Sequence, residues 1–239
     1  MGDDQRRNAI VNLSVVMPAY EEAANLAKLL PRLHVALAAI TADYEILVVD
    51  THEPRDETPD VCERLDARYV ARQPGDTYGD AVRSGISAAN GEWVILMDAD
   101  GSHPPEFVKS LYEKRAKKSV IIASRYVRGG GTQDRFILRL MSRTLNVIYS
   151  TVLGLKCRDV SNSFRLYDGE EVRQLRLRCQ NFDIVEEVLV KLKKQTPKTA
   201  LIEVPFQFQK RDEGVTKRNL VAFILTYLST LWRLKFSNA

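Results

Sequence analysis

The sequence predicts an α/β fold in which a mainly parallel sheet is flanked by helices, and three observations carry the prediction. Short β-branched runs alternate with amphipathic segments through the first half of the chain, as successive βαβ units do. The runs end on Pro18, Asp50 and Asp98, which places polar residues at the carboxyl ends of parallel strands, where open α/β sheets bind ligands. A chain of 239 residues, 45% hydrophobic and 28% charged, suits one continuous core. Residues 1–239 therefore read as a single domain, with a flexible polar N-terminus over 1–12 and an amphipathic helix over 215–239.

Strands are expected at Ser14 to Met17, Glu45 to Asp50, Tyr69 to Ala71, Trp93 to Asp98 and Val120 to Ser124. The first crossover, Glu22 to Ile40, has helical spacing at Leu26, Leu29, Leu30, Leu33 and Leu37. Pro31 lacks an amide hydrogen and is expected to kink or split that helix. From Phe136 the pattern changes to long helices, Phe136 to Leu153 and Asp183 to Lys194. A strand from Leu201 to Phe208 and a last helix between Leu220 and Lys235 follow.

Composition excludes several classes. A formal net charge of +4 does not imply nucleic acid, and it leaves room for a basic patch facing anionic lipid or phosphate. Cys62, Cys157 and Cys179 lie far apart with no CxxC or Cys/His cluster, so neither a zinc site nor a disulfide framework is expected, and a reducing cytosol fits. The polar N-terminus has no apolar signal core, and Arg6 stands where myristoylation wants Ser or Thr. The longest uncharged apolar stretch, Leu220 to Trp232, reaches roughly 20 Å as a helix against a hydrocarbon core of about 30 Å, too short to cross.

The strand ending at Met97 runs into Asp98-Ala99-Asp100, which sets two carboxylates at the sheet edge where both can address one ion. Hard divalent cations, Mg²⁺ or Mn²⁺, take a few carboxylates together with phosphate oxygens. Solvated acidic turns after strands are common; the apolar strand before this one and His103-Pro104-Pro105-Glu106 after it favour the metal.

Taken in order, Pro18-Ala19-Tyr20-Glu21-Glu22, Val48-Val49-Asp50, Met97-Asp98-Ala99-Asp100 with His103-Pro104-Pro105-Glu106, and Ser124-Arg125-Tyr126 resemble the motifs of family-2 glycosyltransferases. The match continues through Gly129-Gly130, Arg139, Asp159 to Phe164, Val204-Pro205-Phe206 and Arg211 to Lys217, and the group it is most similar to is the dolichol-phosphate mannose synthases. The resemblance implies the GT-A fold, a Rossmann-like sheet with C-terminal amphipathic helices. It implies that Pro18, Tyr20, Glu22 and Asp50 hold the base and ribose of a nucleotide sugar, while Asp98 and Asp100 hold the metal and the diphosphate. Arg125 and Arg139 match arginines that receive an acceptor phosphate, whose oxygens a guanidinium fork meets bidentately. Arg211, Thr216 and Lys217 resemble a loop that closes over diphosphate and acceptor. With Asp100, the arginines Arg125, Arg139 and Arg211 form the expected catalytic set.

The sequence departs from the family at Ser102, often Gln in the synthases, at Asp50-Thr51 for a pair of aspartates, at Asn162-Ser163-Phe164 for Ser-Gly-Phe, and at Asn181-Phe182 for Gly-Phe.

A sugar hydroxyl acceptor requires a general base, whereas a phosphate monoester is already anionic and requires positioning cations. Arginines are plentiful and the QxxRW signature of processive polymerases is absent, which favours a lipid phosphate. Asp183, Glu186 and Glu187 are the candidates for a base, Glu187 matching an acidic position of the family; alternatively they are a solvated acidic start to their helix.

The expected activity is inverting, metal-dependent transfer of a hexose, mannose from GDP-mannose, to a polyprenyl or dolichyl phosphate. The alternatives are transfer from a UDP-sugar to a saccharide or other hydroxyl, and a non-catalytic nucleotide-sugar-binding subunit. Ile137, Met141, Leu145, Ile148, Val152 and Leu155 form one apolar stripe. Leu220, Phe223, Ile224, Tyr227, Leu228, Leu231 and Trp232 form another, flanked by basic residues. Core packing accounts for the first stripe as well as lipid does, while the second leans toward the interface. The expected location is cytoplasmic and peripheral to a membrane surface, with a membrane-anchoring subunit as a compatible partner.

Overall fold

The computed structural model describes residues 11–133, 136–209 and 229–236. Its main sheet has seven strands in the order β3-β2-β1-β4-β7-β5-β8. These are β1 (Val11–Pro18), β2 (Tyr44–Asp50), β3 (Arg68–Ala71), β4 (Gly91–Leu96), β5 (Ser119–Ser124), β7 (Arg165–Asp168) and β8 (Ala200–Pro205). A two-stranded sheet pairs β6 (Gly131–Thr132) with β9 (Gln207–Phe208). The crossover helices are α1 (Ala23–Ala38), α2 (Thr58–Arg64), α3 (Tyr78–Ala88) and α4 (Val108–Glu113). After them come α5 (Phe136–Leu153), α6 (Gly169–Arg173) and α7 (Ile184–Gln195), and residues 229–236 are helical.

Both faces of the sheet are covered, and successive strand residues therefore enter two different cores. Leu13, Val15 and Met17 of β1 pack with Leu26, Leu30 and Leu33 of α1, whereas Val16 packs with Ala81 and Val82 of α3 and with Leu96. The covered faces leave the strand ends as the natural place for ligands.

The main-sheet strand missed from the sequence is β7, four residues with a charge at each end and no β-branched residue. It is antiparallel to β4 and to β5, with Arg165 opposite both Leu96 and Ile122. Running against its neighbours, it begins where they end, which brings residues 159–164 to the carboxyl edge beside Asp98.

Four expectations are corrected. Helix α1 passes through Pro31 without splitting: Pro31 and Ala27 lie on the exposed side, so the carbonyl that lacks its amide faces water while the leucines hold the other side to the sheet. The single strand expected from Leu201 to Phe208 divides at Phe206. There the backbone leaves β8 to donate to the Ser124 carbonyl at 2.9 Å and to accept from the Gly131 amide at 2.9 Å. Val11 and Asn12, expected in a flexible N-terminus, belong to β1; Val11 pairs with Gly91 and the Asn12 amide donates to the Asp43 carbonyl at 3.1 Å. In the C-terminal helix Leu231 and Leu234 are 8% and 6% exposed and join the core, while Trp232 is 69% exposed. Adjacent helical residues point about 100° apart, so Leu231 and Trp232 do not share one stripe. Leu220 to Leu228 lie outside the described residues.

Helix α3 approaches the sheet through Gly85, where an added Cβ would stand 2.2 Å from Val16 Cγ1 and 3.0 Å from Val49 Cγ2. Both valines are fully buried and have nowhere to move. Gly85→Ala is therefore expected to lower stability by about 1–3 kcal/mol, a melting-temperature loss of several degrees in scanning calorimetry.

Candidate active site

A cavity of about 350 Å³ opens at the carboxyl edge of the sheet and gathers residues from five segments. Pro18, Tyr20 and Glu22 enter from the turn after β1, Asp98 and Asp100 from the turn after β4, Arg72 from the end of β3, Tyr78 from the first turn of α3, and Phe182 from the loop before α7.

The two aspartates are held by their neighbours. Asp98 accepts from the Tyr78 hydroxyl at 3.2 Å on one oxygen and from the Ser163 hydroxyl at 3.0 Å on the other. Its amide donates to His103 Nδ1 at 2.9 Å. Because Nδ1 accepts there, the imidazole proton lies on Nε2, 3.9 Å from an Asp98 oxygen. Burial lowers the His103 pKa and keeps the ring neutral, stacked on Phe164 with centroids 4.6 Å apart. Asp100 accepts from the amide of Ser102 at 3.0 Å and from its hydroxyl at 2.6 Å. Ser102, one of the departures from the family pattern, thus orients the Asp100 carboxylate.

Asp98 and Asp100 suit a hard divalent ion in donor type and in their place on one turn. Among the described residues no group of three or more His, Cys, Asp or Glu side chains surrounds the position, so phosphate oxygens and water would complete the coordination.

Asp50 is 1% exposed, and neither of its carboxylate oxygens has a hydrogen-bond partner. Burial is the main cause that pushes its pKa up. It does not line the cavity itself. Arg72 does, and donates from Nε to the Asp50 carbonyl at 3.0 Å and from its two terminal nitrogens to the Asp76 carbonyl at 3.1 Å and to that of Ala19. Arg72 and Tyr78 escaped the sequence reading. Arg72 follows β3 directly, the same strand-end position that singled out Pro18, Asp50 and Asp98.

A second cavity of about 350 Å³ is lined by Arg125, Arg139 and Arg143, with Phe136, Leu140 and Thr132 among its walls. Arg125 is already committed: Nε and one terminal nitrogen each meet Asp159 at 2.8 Å, and that nitrogen also donates to the Ser161 hydroxyl at 2.9 Å. Arg139 is exposed, with its guanidinium 5.5 Å from the Phe136 ring centroid. Among the described residues, the positive charge of this cavity not paired with a carboxylate therefore comes from α5 rather than from Arg125. Arg135, Arg211, Thr216 and Lys217 lie outside the described residues.

The acidic residues expected on the acceptor side do not line either cavity. Glu187 is 2% exposed and accepts from the amides of Arg178 at 2.9 Å and Cys179 at 2.8 Å, with Lys191 at 3.1 Å. These partners outweigh burial and hold its pKa below the usual range. Asp183 is 5% exposed and bonds to Thr230 and Arg233. Both carboxylates are occupied in holding backbone and helix. The three cysteines are free and buried, and burial pushes the thiols of Cys62 and Cys157 up to about 12.

Comparison with known proteins points one way. The model of the family described as glycosyl transferase family 2 matches residues 14–175. The dolichol-phosphate mannosyltransferase of Pyrococcus furiosus is 33% identical over 94% of the chain, which spans 64% of that relative's length. Those of Saccharomyces cerevisiae and Mycosarcoma maydis are 28% and 30% identical, over 95% and 93% of this chain and 89% and 80% of their own lengths. Among solved structures, glucosyl-3-phosphoglycerate synthase from Mycobacterium tuberculosis, in complex with Mn²⁺, UDP and glucosyl-3-phosphoglycerate, superposes with a TM-score of 0.70 at 18% identity. It covers 98% of this chain and 83% of that one.

A buried carboxylate without partners weakens the fold when ionised. Asp50→Asn is expected to raise the melting temperature at pH 7. The gain is absent below the ordinary aspartate value of 3.8, where both states are protonated, and builds as pH rises through the raised folded value. Thermal melts of both proteins between pH 3 and 8 check the sign, and a flat difference across that range would contradict it.

Proposed function

The chain belongs to glycosyl transferase family 2 and is a glycosyltransferase, and on that premise we propose that it transfers a hexose with inversion, mannose from GDP-mannose, to a polyprenyl or dolichyl phosphate. The observation that carries this reading is the pairing of a donor-type cavity with a cationic one through a single loop. Ser163 of that loop binds Asp98, while Asp159 and Ser161 bind Arg125. A phosphate acceptor needs cations to orient it and no base to deprotonate it. That is the chemistry available around Arg125, Arg139 and Arg143, whereas Asp183 and Glu187 are engaged elsewhere.

The turn Pro18 to Glu22 and Arg72 hold the nucleotide, with Asp50 behind them. Asp98 and Asp100 would hold Mg²⁺ or Mn²⁺, an ion that would supply positive charge against the diphosphate. The Tyr78 and Ser163 hydroxyls keep Asp98 turned toward the cavity. Arg139 and Arg143 orient the acceptor phosphate for attack on the face of the anomeric carbon opposite the diphosphate.

Helix α5 supports a membrane-facing acceptor. Asn146 and Tyr149 are its buried residues, whereas Phe136 and Ile137 are 67% and 70% exposed, with Leu140, Val147 and Ile148 also outward. An apolar outer face beside Arg139 and Arg143 suits the boundary of a lipid bilayer with anionic headgroups. Among the described residues no helix is long and apolar enough to cross a membrane. We therefore propose peripheral attachment at the cytoplasmic surface, alone or with an anchoring subunit.

Asp100→Asn is expected to reduce turnover by about a hundredfold or more while leaving the melting temperature within a few degrees, since it removes charge from the ion's site. Thermal shift with GDP-mannose and UDP-glucose, with and without Mn²⁺, tests the donor. Donor binding and turnover that survive excess chelator would refute metal dependence.

Arg139→Ala is expected to raise KM for a polyprenyl phosphate about tenfold or more with donor affinity unchanged, and Arg139→Lys to restore only part, because an ammonium lacks the fork. Glu187→Gln is expected instead to lose about 2 kcal/mol of stability, by loosening the loop it holds. Steady-state kinetics beside urea melts separate the two, and a folded but inactive Glu187→Gln with a normal Arg139→Ala would overturn the phosphate-acceptor reading.

A further inference from the structure

The C-terminal helix is joined to the donor cavity by a short chain of contacts. Asp183 accepts from the Thr230 hydroxyl at 2.7 Å and from Arg233 at 2.8 Å on one oxygen, and from the Asn181 amide at 3.0 Å on the other. The same Arg233 nitrogen lies 3.0 Å from the Cys179 sulfur. The helix thus grips the segment from Cys179 to Asp183 at two points.

Two other elements hold that segment from other sides. Glu187 of α7 binds the amides of Arg178 and Cys179. Helix α3 rests directly on it: the Gly79 amide donates to the Gln180 carbonyl at 2.7 Å, Arg83 donates to the Cys179 carbonyl at 2.5 Å, and a Cβ at Gly79 would lie 2.1 Å from that carbonyl oxygen.

Phe182 is the side chain of this segment that enters the donor cavity. It is 39% exposed, and its ring stacks on Tyr78 with centroids 4.1 Å apart and planes inclined by 21°. Tyr78 in turn donates its hydroxyl to Asp98. A stacked pair of this kind is a weak interaction, and a partly exposed ring keeps its place only if the backbone beneath it is fixed.

We propose that Asp183, Thr230 and Arg233 are positioning residues that make the C-terminal helix a structural part of the donor site, by fixing Phe182 against Tyr78 as a flat aromatic wall for the donor's hexose ring. Asp183 thereby acts through the loop and takes no proton. The proposal rests on the nucleotide-sugar reading of the cavity. Because Trp232 and Phe236 point outward from the same helix, 69% and 65% exposed, whatever engages them bears on the segment that carries Phe182.

The test is a calorimetric titration of the full chain with GDP-mannose and with UDP-glucose in the presence of Mn²⁺. Thr230→Val and Arg233→Met are each expected to weaken the dissociation constant of the donor that the wild type binds, by about fivefold, and Arg233→Lys to recover most of it. At saturating donor, kcat and the acceptor KM are expected to stay near wild type. In a Phe182→Ala background, Arg233→Met should cause no further loss, since the wall it positions is gone. An unchanged dissociation constant in both single variants, or an equal loss with and without Phe182, would overturn the proposal. Thr230→Val exchanges a hydroxyl for a methyl of the same shape and carries the test if Arg233→Met fails to fold. A wild-type chain that binds neither donor would overturn the nucleotide-sugar reading and this proposal with it, whereas donor binding indifferent to Thr230 and Arg233 overturns this proposal alone.

Discussion

Strand β7 runs against β4 and β5, and because it does so the loop that precedes it emerges at the edge where its neighbours end. In a wholly parallel sheet that loop would lie at the opposite edge, and Ser163 would be a strand length away from Asp98. The reversal sets Ser163 on Asp98, Asn162 on the Ala123 carbonyl at 2.6 Å and Asp159 on Arg125. Residues 159–164 thus join both Asp98 and Arg125 to one loop.

The strand itself carries unusual cargo. Arg165 is fully buried and donates to the carbonyls of Val160 at 2.6 Å and Val185 at 2.7 Å, tying the loop to the start of α7. A buried guanidinium is costly unless its hydrogens are used, and here two carbonyls from different elements accept from its terminal nitrogens while Nε has no hydrogen-bond partner. Arg125 and Asp159 follow the same logic, a bidentate pair with Asp159 fully buried. Such pairs contribute little net stability, yet the direction of each fork dictates where the backbone goes. Asp50 is the contrast: a buried carboxylate at a strand end whose oxygens have no hydrogen-bond partner.

Helix α5 carries apolar residues on both its inner and its outer side. Its inward side includes Asn146, whose amide nitrogen donates to Ser161 and whose oxygen accepts from the amides of Val160 and Ser161. Phe136, Ile137, Leu140, Val147 and Ile148 look outward, while Leu145, Val152 and Leu153 pack on the core. The helix is thus attached to the same loop as Asp98 while presenting hydrocarbon and guanidinium to its surroundings. The C-terminal helix seats Leu231 and Leu234 in the core and attaches by Thr230 and Arg233 to Asp183. Apolar periodicity alone does not distinguish these cases, because a stripe of leucines looks the same whether it faces a core or a bilayer.

What the sequence determined by itself was what neighbours along the chain decide. The parallel strands, α1, α5 and α7, and the place of Pro18, Asp50, Asp98 and Asp100 at strand ends all follow from local periodicity and from the rule that such sheets bind at their carboxyl edge. Tertiary structure decided the partnerships between distant residues: Arg125 with Asp159, 34 positions away, Asp183 with Arg233, 50 positions away, and Phe182 on Tyr78. It turned Glu187 and Asp183 from candidate bases into anchors, admitted Arg72 and Tyr78 to the site, and inserted β7, whose Arg-Leu-Tyr-Asp has no strand signature of its own. The physical reason is that helix and strand preference arise from each residue's own backbone and nearest turns. The protonation and purpose of a carboxylate, by contrast, depend on which donors the fold brings to it, and for these residues the donors come from other elements of the chain.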